Sequence, residues 1–374
     1  MESSNFTDLD TSTRILLGPG PSAAAPRVLR SMATPLLGHL DPEFLAVMQE
    51  EQELLRYVFQ TKNEMTIAIQ GTGTAGMEAA LCNFIEPGDR VLVAIIGFFG
   101  ERLFEMAGRY GAQVDRLEKL WGQVFEPAEI AAALKANNYK LVALVHAETS
   151  TGAQQPGIAE IAQAAHRSGA LLVLDTVTSL GGIPVEVDEW GVDVAYSAAQ
   201  KCLSCPPGLA PLTVSPRAMD ALHGRKTPVG NWYLDLNGLE KYWHAPHSYH
   251  HTAPISLHYA LREGLRMALE EGLEKRFSRH RQNAELLWEG LDGLDLPPLI
   301  PHSYRLPSLT TPQLPPSIQE AGLRRRLLVE YNIEIAGGFG PLAGKIWRIG
   351  LMGYSSRREN VVLLLSALER LLRA

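Results

Sequence analysis

Three features of the 374-residue sequence carry chemistry. Lys201 ends the stretch Asp193-Val-Ala-Tyr-Ser-Ala-Ala-Gln-Lys201 and is followed by Cys202-Leu-Ser-Cys-Pro-Pro-Gly208. Lysine is rarely buried unpaired, and at the end of an apolar strand it ordinarily snorkels to water. Asp175 closes a second apolar run, Ala170-Leu-Leu-Val-Leu-Asp175. The C-terminal ends of neighbouring parallel strands open onto one crevice, so this carboxylate and this amine are expected to face each other. Gly71-Thr-Gly-Thr-Ala-Gly76 follows a strand-like run and opens a helical one. Free amides and the dipole at such a helix start can cradle a phosphate. A lysine to form a Schiff base, a carboxylate to pair with a pyridinium nitrogen and a phosphate cradle are together what pyridoxal 5'-phosphate requires.

Rival readings of the same residues fare worse. The glycine turn satisfies G-x-G-x-x-G, the dinucleotide fingerprint, which also needs a carboxylate at the end of the next strand. That strand, Arg90-Val-Leu-Val-Ala-Ile95, runs on through Ile96-Gly97 with no acid. Cys202 and Cys205 have C-x-x-C spacing, but no second ligand pair accompanies them; with Cys82 they read as small buried filler. His244, His247, His250 and His251 have no carboxylate or cysteine within a few residues, and Pro246 breaks the helical phase, which argues against zinc. Arg348 lies in a strand-like run among Ile346, Trp347, Ile349 and Leu351. A partly buried arginine binds a carboxylate bidentately and suits an amino-acid or keto-acid substrate.

The elements that must position these residues follow from periodicity. Apolar runs at 65–69, 90–95, 141–145, 170–175, 192–197 and 209–214 alternate with helical patterns at 75–84, from Phe98, and at 158–167. Such alternation predicts an α/β fold, a mostly parallel sheet covered on both faces. Asp41 and Pro42 mark the start of an earlier helix. From Ile255 one long helix is expected to about Leu291, leading into a smaller α+β unit with helices at 319–330 and 358–372 and strands at 333–336 and 346–350. The expected division is an N-terminal arm at 1–13, a large cofactor-binding domain at 14–271 and a small C-terminal domain at 272–374. Net charge is −7, which disfavours nucleic acid as a main partner. An odd cysteine count points to a reducing compartment. The acidic start is unlike a signal peptide, no run is long enough to span a membrane, and the ending Leu371-Leu-Arg-Ala374 lacks a peroxisomal Ser-Lys-Leu, so a cytoplasmic location is expected.

Several stretches, in order along nearly the whole chain, carry a family resemblance. They are Leu17-Gly-Pro-Gly-Pro-Ser22, Gly71-Thr-Gly-Thr74, Met77-Glu-Ala-Ala-Leu81, His146-Ala-Glu-Thr-Ser-Thr-Gly152, Asp175-Thr-Val-Thr-Ser-Leu-Gly-Gly182, Tyr196-Ser-Ala-Ala-Gln-Lys201, Tyr249-His-His-Thr252 and Trp347-Arg-Ile-Gly-Leu-Met-Gly353. The chain resembles class V aminotransferases of pyridoxal phosphate fold type I, and within them the alanine–glyoxylate and serine–glyoxylate (serine–pyruvate) branch.

The resemblance implies a seven-stranded sheet in the large domain. It implies catalytic roles for Lys201 and Asp175, and cofactor contacts from Thr72, Gly73, Thr74, Thr149, Val177 and Gln200. Phe99 takes the place of a ring, tryptophan in many relatives, that stacks on the pyridine, with Phe98 as its possible stand-in. Gly20 and Thr149 would line the substrate side, and Arg348 would anchor a carboxylate. Tyr249 and Thr252 would reach the phosphate of a neighbouring subunit, which implies a homodimer. The implied reaction moves an amino group from alanine or serine to glyoxylate. Cysteine desulfurases, a sibling group, usually place histidine before the lysine and need a cysteine loop near the C-terminus. Here Gln200 precedes the lysine and no cysteine follows Cys205. A non-enzymatic protein keeping the fold is the rival of another class; the presence of Lys201, Asp175 and Arg348 together argues against it.

Overall fold

The structure, a computed structural model, describes residues 9–373. Residues 1–8 of the expected arm therefore lie outside the described residues, while 9–13 run exposed without regular structure. The seven strands of the main sheet are β1 (Met65–Gln70), β2 (Arg90–Ile95), β3 (Gln113–Glu118), β4 (Leu141–Val145), β5 (Leu171–Asp175), β6 (Val194–Tyr196) and β7 (Leu209–Val214). Their order is β1-β7-β6-β5-β4-β2-β3, and only β7 runs against the rest. Every residue of β4 and β5 is buried, because both faces of the sheet are covered; this is why their sequences are continuously apolar. Register aligns Val145 with Asp175 and Asp175 with Tyr196, so the C-terminal ends of the central strands meet at one edge.

The helices begin where the sequence places their signals. In α1 (Pro42–Phe59) the Asp41 side chain accepts from the Glu43 amide at 2.8 Å, and Pro42 occupies the first turn. The helix α2 (Gly73–Cys82) follows β1, α3 (Phe98–Arg109) follows β2 and α4 (Ile158–Arg167) precedes β5. The expected single helix from Ile255 is instead two, α5 (Ile255–Glu271) and α6 (Leu273–Asp292). Gly272, at φ +80°, breaks it, although the leucine spacing continues across the break. The strand expected at 192–197 is shorter, and the helix expected from Ala75 starts two residues earlier, at Gly73.

The edge strand β3 was not visible as a strand. Its side chains are half-exposed and charged, with Arg116 paired to Glu101 and Glu118 at 2.7 and 3.0 Å. Charge along an edge protects it from pairing with another chain, and the same charge hides it from a search for apolar runs.

Two main hydrophobic cores form, with a smaller cluster of Ala147, Ile183, Cys202, Leu306, Leu309 and Met352 beside them. The larger fills the sheet and its helices; the second gathers Leu17, Leu287, Leu327, Trp347, Leu364 and Leu368. Around the second lie α7 (Glu320–Tyr331), α8 (Arg358–Arg373) and an antiparallel sheet of β8 (Leu309–Thr310), β10 (Trp347–Gly350) and β9 (Ala336–Gly337), with β10 central. Ile15 pairs with Ile333 and Leu17 belongs to this second core, so the chain starts there before entering the large sheet. No helix of the described residues is long and apolar enough to cross a membrane.

The loop 18–22 leads from Leu17 of the second core, along β10, toward Ala25 of the larger one. The Gly350 amide donates to the Leu17 carbonyl at 2.7 Å, and a Cβ at Gly350 would lie 2.1 Å from the Gly18 carbonyl oxygen. Both partners are backbone, so neither can yield without moving its element. We expect Gly350→Ala to destabilise the cofactor-free protein by about 1–3 kcal/mol, the usual cost of overpacking. The urea midpoint reads this directly, and an unchanged midpoint would show that loop and strand separate freely.

Candidate active site

Beyond β6 the chain turns tightly through Ala198-Ala199-Gln200 and delivers Lys201 to the sheet edge. Ser22 holds this turn from the other side. Its amide donates to the Gln200 carbonyl at 2.8 Å and its hydroxyl to the Lys201 carbonyl at 2.6 Å. The Lys201 side chain keeps some surface open, but its amine is enclosed and donates to the Pro19 carbonyl. Burial pulls this amine down from the ordinary lysine value to about 8; Cys202 and Asp175 oppose the shift and Arg348 adds to it.

Asp175 ends β5, buried. One oxygen accepts from the Val177 amide at 2.8 Å and the other from the Tyr196 hydroxyl at 2.7 Å. Desolvation nevertheless dominates and raises its carboxyl to about 6, a carboxylate short of a cation. Tyr196 is a site residue that sequence reasoning quoted without assigning a role. Strand register exposes it, since it stands opposite Asp175 on the adjacent parallel strand.

A cavity of about 160 Å³ joins these groups. Thr72, Gly73, Thr74, Phe99, Thr149, Asp175, Val177, Gln200 and Lys201, all expected from the sequence, line it, along with Met77, Arg102 and Val145. Its floor is the start of α2. The Thr72 hydroxyl makes no capping bond, the first turn holds no acid, and the Gly73 and Thr74 amides have no acceptor among the described residues, while Ala75 donates to the Thr72 carbonyl at 2.8 Å. Gly73 is required there, because a Cβ would meet the Val177 and Ala198 methyls at 2.9 and 3.2 Å. Thr149 shares a hydroxyl–hydroxyl hydrogen bond with Thr178.

Phe99 is aimed by an unusual cap. Gly97 offers no side chain to start α3, so Ser150 accepts from the Phe98 amide at 2.9 Å and Glu148 from the Phe99 amide at 3.4 Å. Glu148 is fully buried, its carboxyl is raised by desolvation, and its second oxygen has no partner among the described residues. Phe99 thus lines the cavity, whereas Phe98 packs on Phe339 with centroids 5.0 Å apart. Arg102, one turn on from Phe99, donates to the Thr74 hydroxyl at 3.0 Å and lies 4.9 Å over the Phe99 ring. Helical spacing from Phe99 could have found it.

Gly20 and Arg348 flank the lysine rather than the cavity. A Cβ at Gly20 would lie 2.5 Å from the Lys201 Nζ. Arg348, on β10, is buried, and burial draws its guanidinium down to about 10. Tyr249 and Thr252 are exposed and lie outside the cavity. Of the histidines, His250 stacks on Trp232 at 4.5 Å, and its Nδ1 lies 2.6 Å from that of His251. Cys202 and Cys205 are buried free thiols pushed up to about 11 and 12 by desolvation, which leaves them unreactive. A larger recess of about 460 Å³ lies among α5, α6 and the start of α8, but it contains none of Lys201, Asp175 and Arg348.

The class-V aminotransferase family model matches residues 25–356. The chain belongs to the class-V aminotransferases. It is 45% identical to the (S)-ureidoglycine–glyoxylate transaminase of Bacillus subtilis (strain 168), covering 98% of this chain and 92% of that one. It is 39% identical to the alanine–glyoxylate aminotransferase of Drosophila melanogaster, over 95% and 91% of the two chains. Among solved structures, the alanine–glyoxylate aminotransferase of a Nostoc species superposes with a TM-score of 0.97 at 53% identity, covering 98% of this chain and 97% of that one. The chain is therefore a transaminase of pyridoxal phosphate fold type I, and its cofactor is pyridoxal 5'-phosphate. The residues present fit that group: an uncapped helix start for its phosphate, a carboxylate short of a cation, an enclosed amine, and a Gln200 carboxamide oxygen with no partner among the described residues.

The amine makes a test of its own. Only the unprotonated form attacks an aldehyde. With a folded value near 8, about one amine in ten is neutral at pH 7, against roughly one in three thousand at the ordinary value. Capture of pyridoxal 5'-phosphate by cofactor-free protein, followed by absorbance, should accelerate about tenfold per pH unit and level off just above pH 8. A rate still climbing through pH 10 would mean that the amine is not shielded.

Proposed function

We propose that this transaminase moves an amino group from a small amino acid, alanine or serine, to glyoxylate by a ping-pong mechanism. The observation that carries the proposal is the state of Arg348. Its guanidinium is buried, and its one hydrogen bond among the described residues runs from Nε to the Gly337 carbonyl at 2.7 Å. The two terminal nitrogens are left as a fork for a carboxylate. The loop Gly18-Pro-Gly-Pro21 beside Lys201 carries no charged side chain for a second carboxylate. A small monocarboxylic donor and acceptor suit that arrangement. The names of the relatives point the same way, and the Bacillus enzyme adds ureidoglycine as a further donor to be tested.

Each chain residue has a task in this reading. Bound in the cavity, pyridoxal 5'-phosphate supplies an electron-poor ring that accepts the charge left when a substrate Cα loses its proton. The amides of α2 and the hydroxyls of Thr72 and Thr74 hold the phosphate end. Asp175 keeps a proton on the ring nitrogen, aided by the Tyr196 hydroxyl that fixes its second oxygen. Phe99 and Val177 would pack against the ring, and Thr149 and Gln200 would offer it hydrogen bonds. Lys201 would take the proton from the substrate Cα and deliver it to the cofactor C4′, which an amine with a value near 8 can do at neutral pH. Gly20 keeps the space beside that amine open. Arg348 takes donor and acceptor carboxylates in turn, as the two half-reactions require.

Steady-state assays decide the substrate. Alanine or serine with glyoxylate should outpace aspartate or glutamate with 2-oxoglutarate. Arg348→Ala should cost on the order of 2–3 kcal/mol in the specificity constants of both donor and acceptor. Faster turnover with dicarboxylic pairs, or a loss confined to one partner, would overturn the single-anchor reading.

We also propose a homodimer in which Tyr249 and Thr252 complete the neighbour's phosphate site. The support is that both are exposed in one chain, on a segment that also exposes Trp232 and Tyr233. Exposed aromatic rings so clustered suit a protein interface. Sedimentation should give a dimer, and Thr252→Ala should weaken cofactor retention. An active monomer at assay concentration would refute the shared site.

A further inference from the structure

Arg348 does not stand alone. It sits on β10 opposite Ala336 of β9, and the loop joining these strands folds back over it. At the end of β9 the Gly337 carbonyl accepts from Nε at 2.7 Å. Two residues later the Phe339 ring lies over the guanidinium, with 3.8 Å from Cζ to the ring centroid. One contact is in the plane of the guanidinium and the other covers its face. Together they fix both orientation angles of the fork and leave the Nη edge open.

The loop is built to hold this pose. A Cβ at Gly338 would lie 2.2 Å from the Leu342 carbonyl oxygen, so the chain curls too tightly there for any side chain. Gly340, on the other side of Phe339, has φ +47°, in the left-handed region. The ring itself is backed by Phe98 at 5.0 Å, and Phe98 meets Phe99 edge-on at 5.6 Å. Phe339 retains 37% of its exposure, so core packing does not explain its position.

We propose that Phe339 is a positioning residue for substrate carboxylates, acting through Arg348. The ring sets the plane of the guanidinium and strips water from one face, so that every carboxylate arrives along the same edge. This rests on the reading of Arg348 as the carboxylate anchor. An exposed loop phenylalanine that only filled space would be replaceable by leucine, which has comparable bulk and no π face. A ring that attracts and aligns a cation would be replaceable by tyrosine alone.

The test uses the holoenzyme and four variants: Phe339→Ala, Phe339→Leu, Phe339→Tyr and Arg348→Ala. Michaelis constants for alanine and for glyoxylate are measured with kcat, and cofactor content is checked by absorbance. We expect Phe339→Ala and Phe339→Leu to raise both Michaelis constants about tenfold, with full cofactor content and kcat within about twofold. Phe339→Tyr should restore both constants. Rescue by leucine, or wild-type constants in Phe339→Ala while Arg348→Ala is impaired, would overturn the positioning role and leave the anchor standing. Wild-type constants in Arg348→Ala would overturn the anchor and this proposal with it.

Discussion

The enclosure of the Lys201 amine is the constraint on which the other parts of the site depend. A charged group loses solvation when protein surrounds it, and the enclosure lowers the lysine while raising Asp175 a short distance away. Both shifts run toward the neutral forms, but with values near 8 and 6 about nine in ten amines stay protonated and about nine in ten carboxyls ionised at pH 7, so the pair is charged and balanced. The enclosure also demands close approach of backbone from three directions. The loop 18–22 covers the amine, and the Gly353 turn comes so near that a Cβ there would sit 2.5 Å from the Cys202 carbonyl oxygen. The Thr176–Gly182 segment lies beneath, where Thr178 receives the hydroxyl of Ser308 at 2.7 Å.

Holding these stretches together is the work of a partly buried charge cluster behind the lysine. Arg276, buried, donates to the Gly181 carbonyl at 2.8 Å and to the Cys202 carbonyl, and pairs with Glu271 at 2.8 Å. Glu271 also binds Arg279, which donates to the Gly353 and Ser356 carbonyls at 3.0 and 2.6 Å. Burying the charged Arg276 is costly unless its donors are matched, and here the arginines are matched by Glu271 and by backbone carbonyls of Gly181, Cys202, Gly353 and Ser356. The cluster thus ties the peptide after Lys201 to the turn that follows β10, the strand that carries Arg348. The separation of amine and guanidinium is set by this joint as much as by either core.

How much of this could be read in the sequence depends on how local the cause is. The strands β4 and β5, the caps of α1 and the phosphate turn have local causes: apolar runs, a side-chain acceptor two residues from its donor, glycines at a helix start. All were legible. Lys201 and Asp175 were legible because strand ends in a parallel sheet converge by topology, whereas Phe99, Thr149, Val177 and Gln200 were expected only from the family resemblance. The break at Gly272 was missed because leucine spacing continues through it, and β3 because an edge strand is polar. Tyr196 and Phe339 depend on pairings across elements, whereas Arg102 needed only the helical spacing from Phe99. Tyr196 needs the register of two strands, Phe339 the fold-back of a loop, and neither has a signature within its own segment.

One such pairing spans the whole site. Arg348 lies against Phe339, Phe339 against Phe98, Phe98 against Phe99, and Phe99 beneath Arg102, which bonds Thr74 at the phosphate turn. Cations end the stack on both sides, and each is oriented before any ligand arrives. In the proposed reading one end of this stack serves the cofactor phosphate and the other the substrate carboxylate. A flexible arginine loses rotamer freedom when it binds, and stacking an arginine on a ring moves that loss from binding to folding. The two ends are also linked mechanically, because the rings between them belong to α3 on one side and to the β9–β10 loop on the other. A shift of the loop displaces Phe98, and Phe98 shares its backbone with the wall of the cofactor cavity.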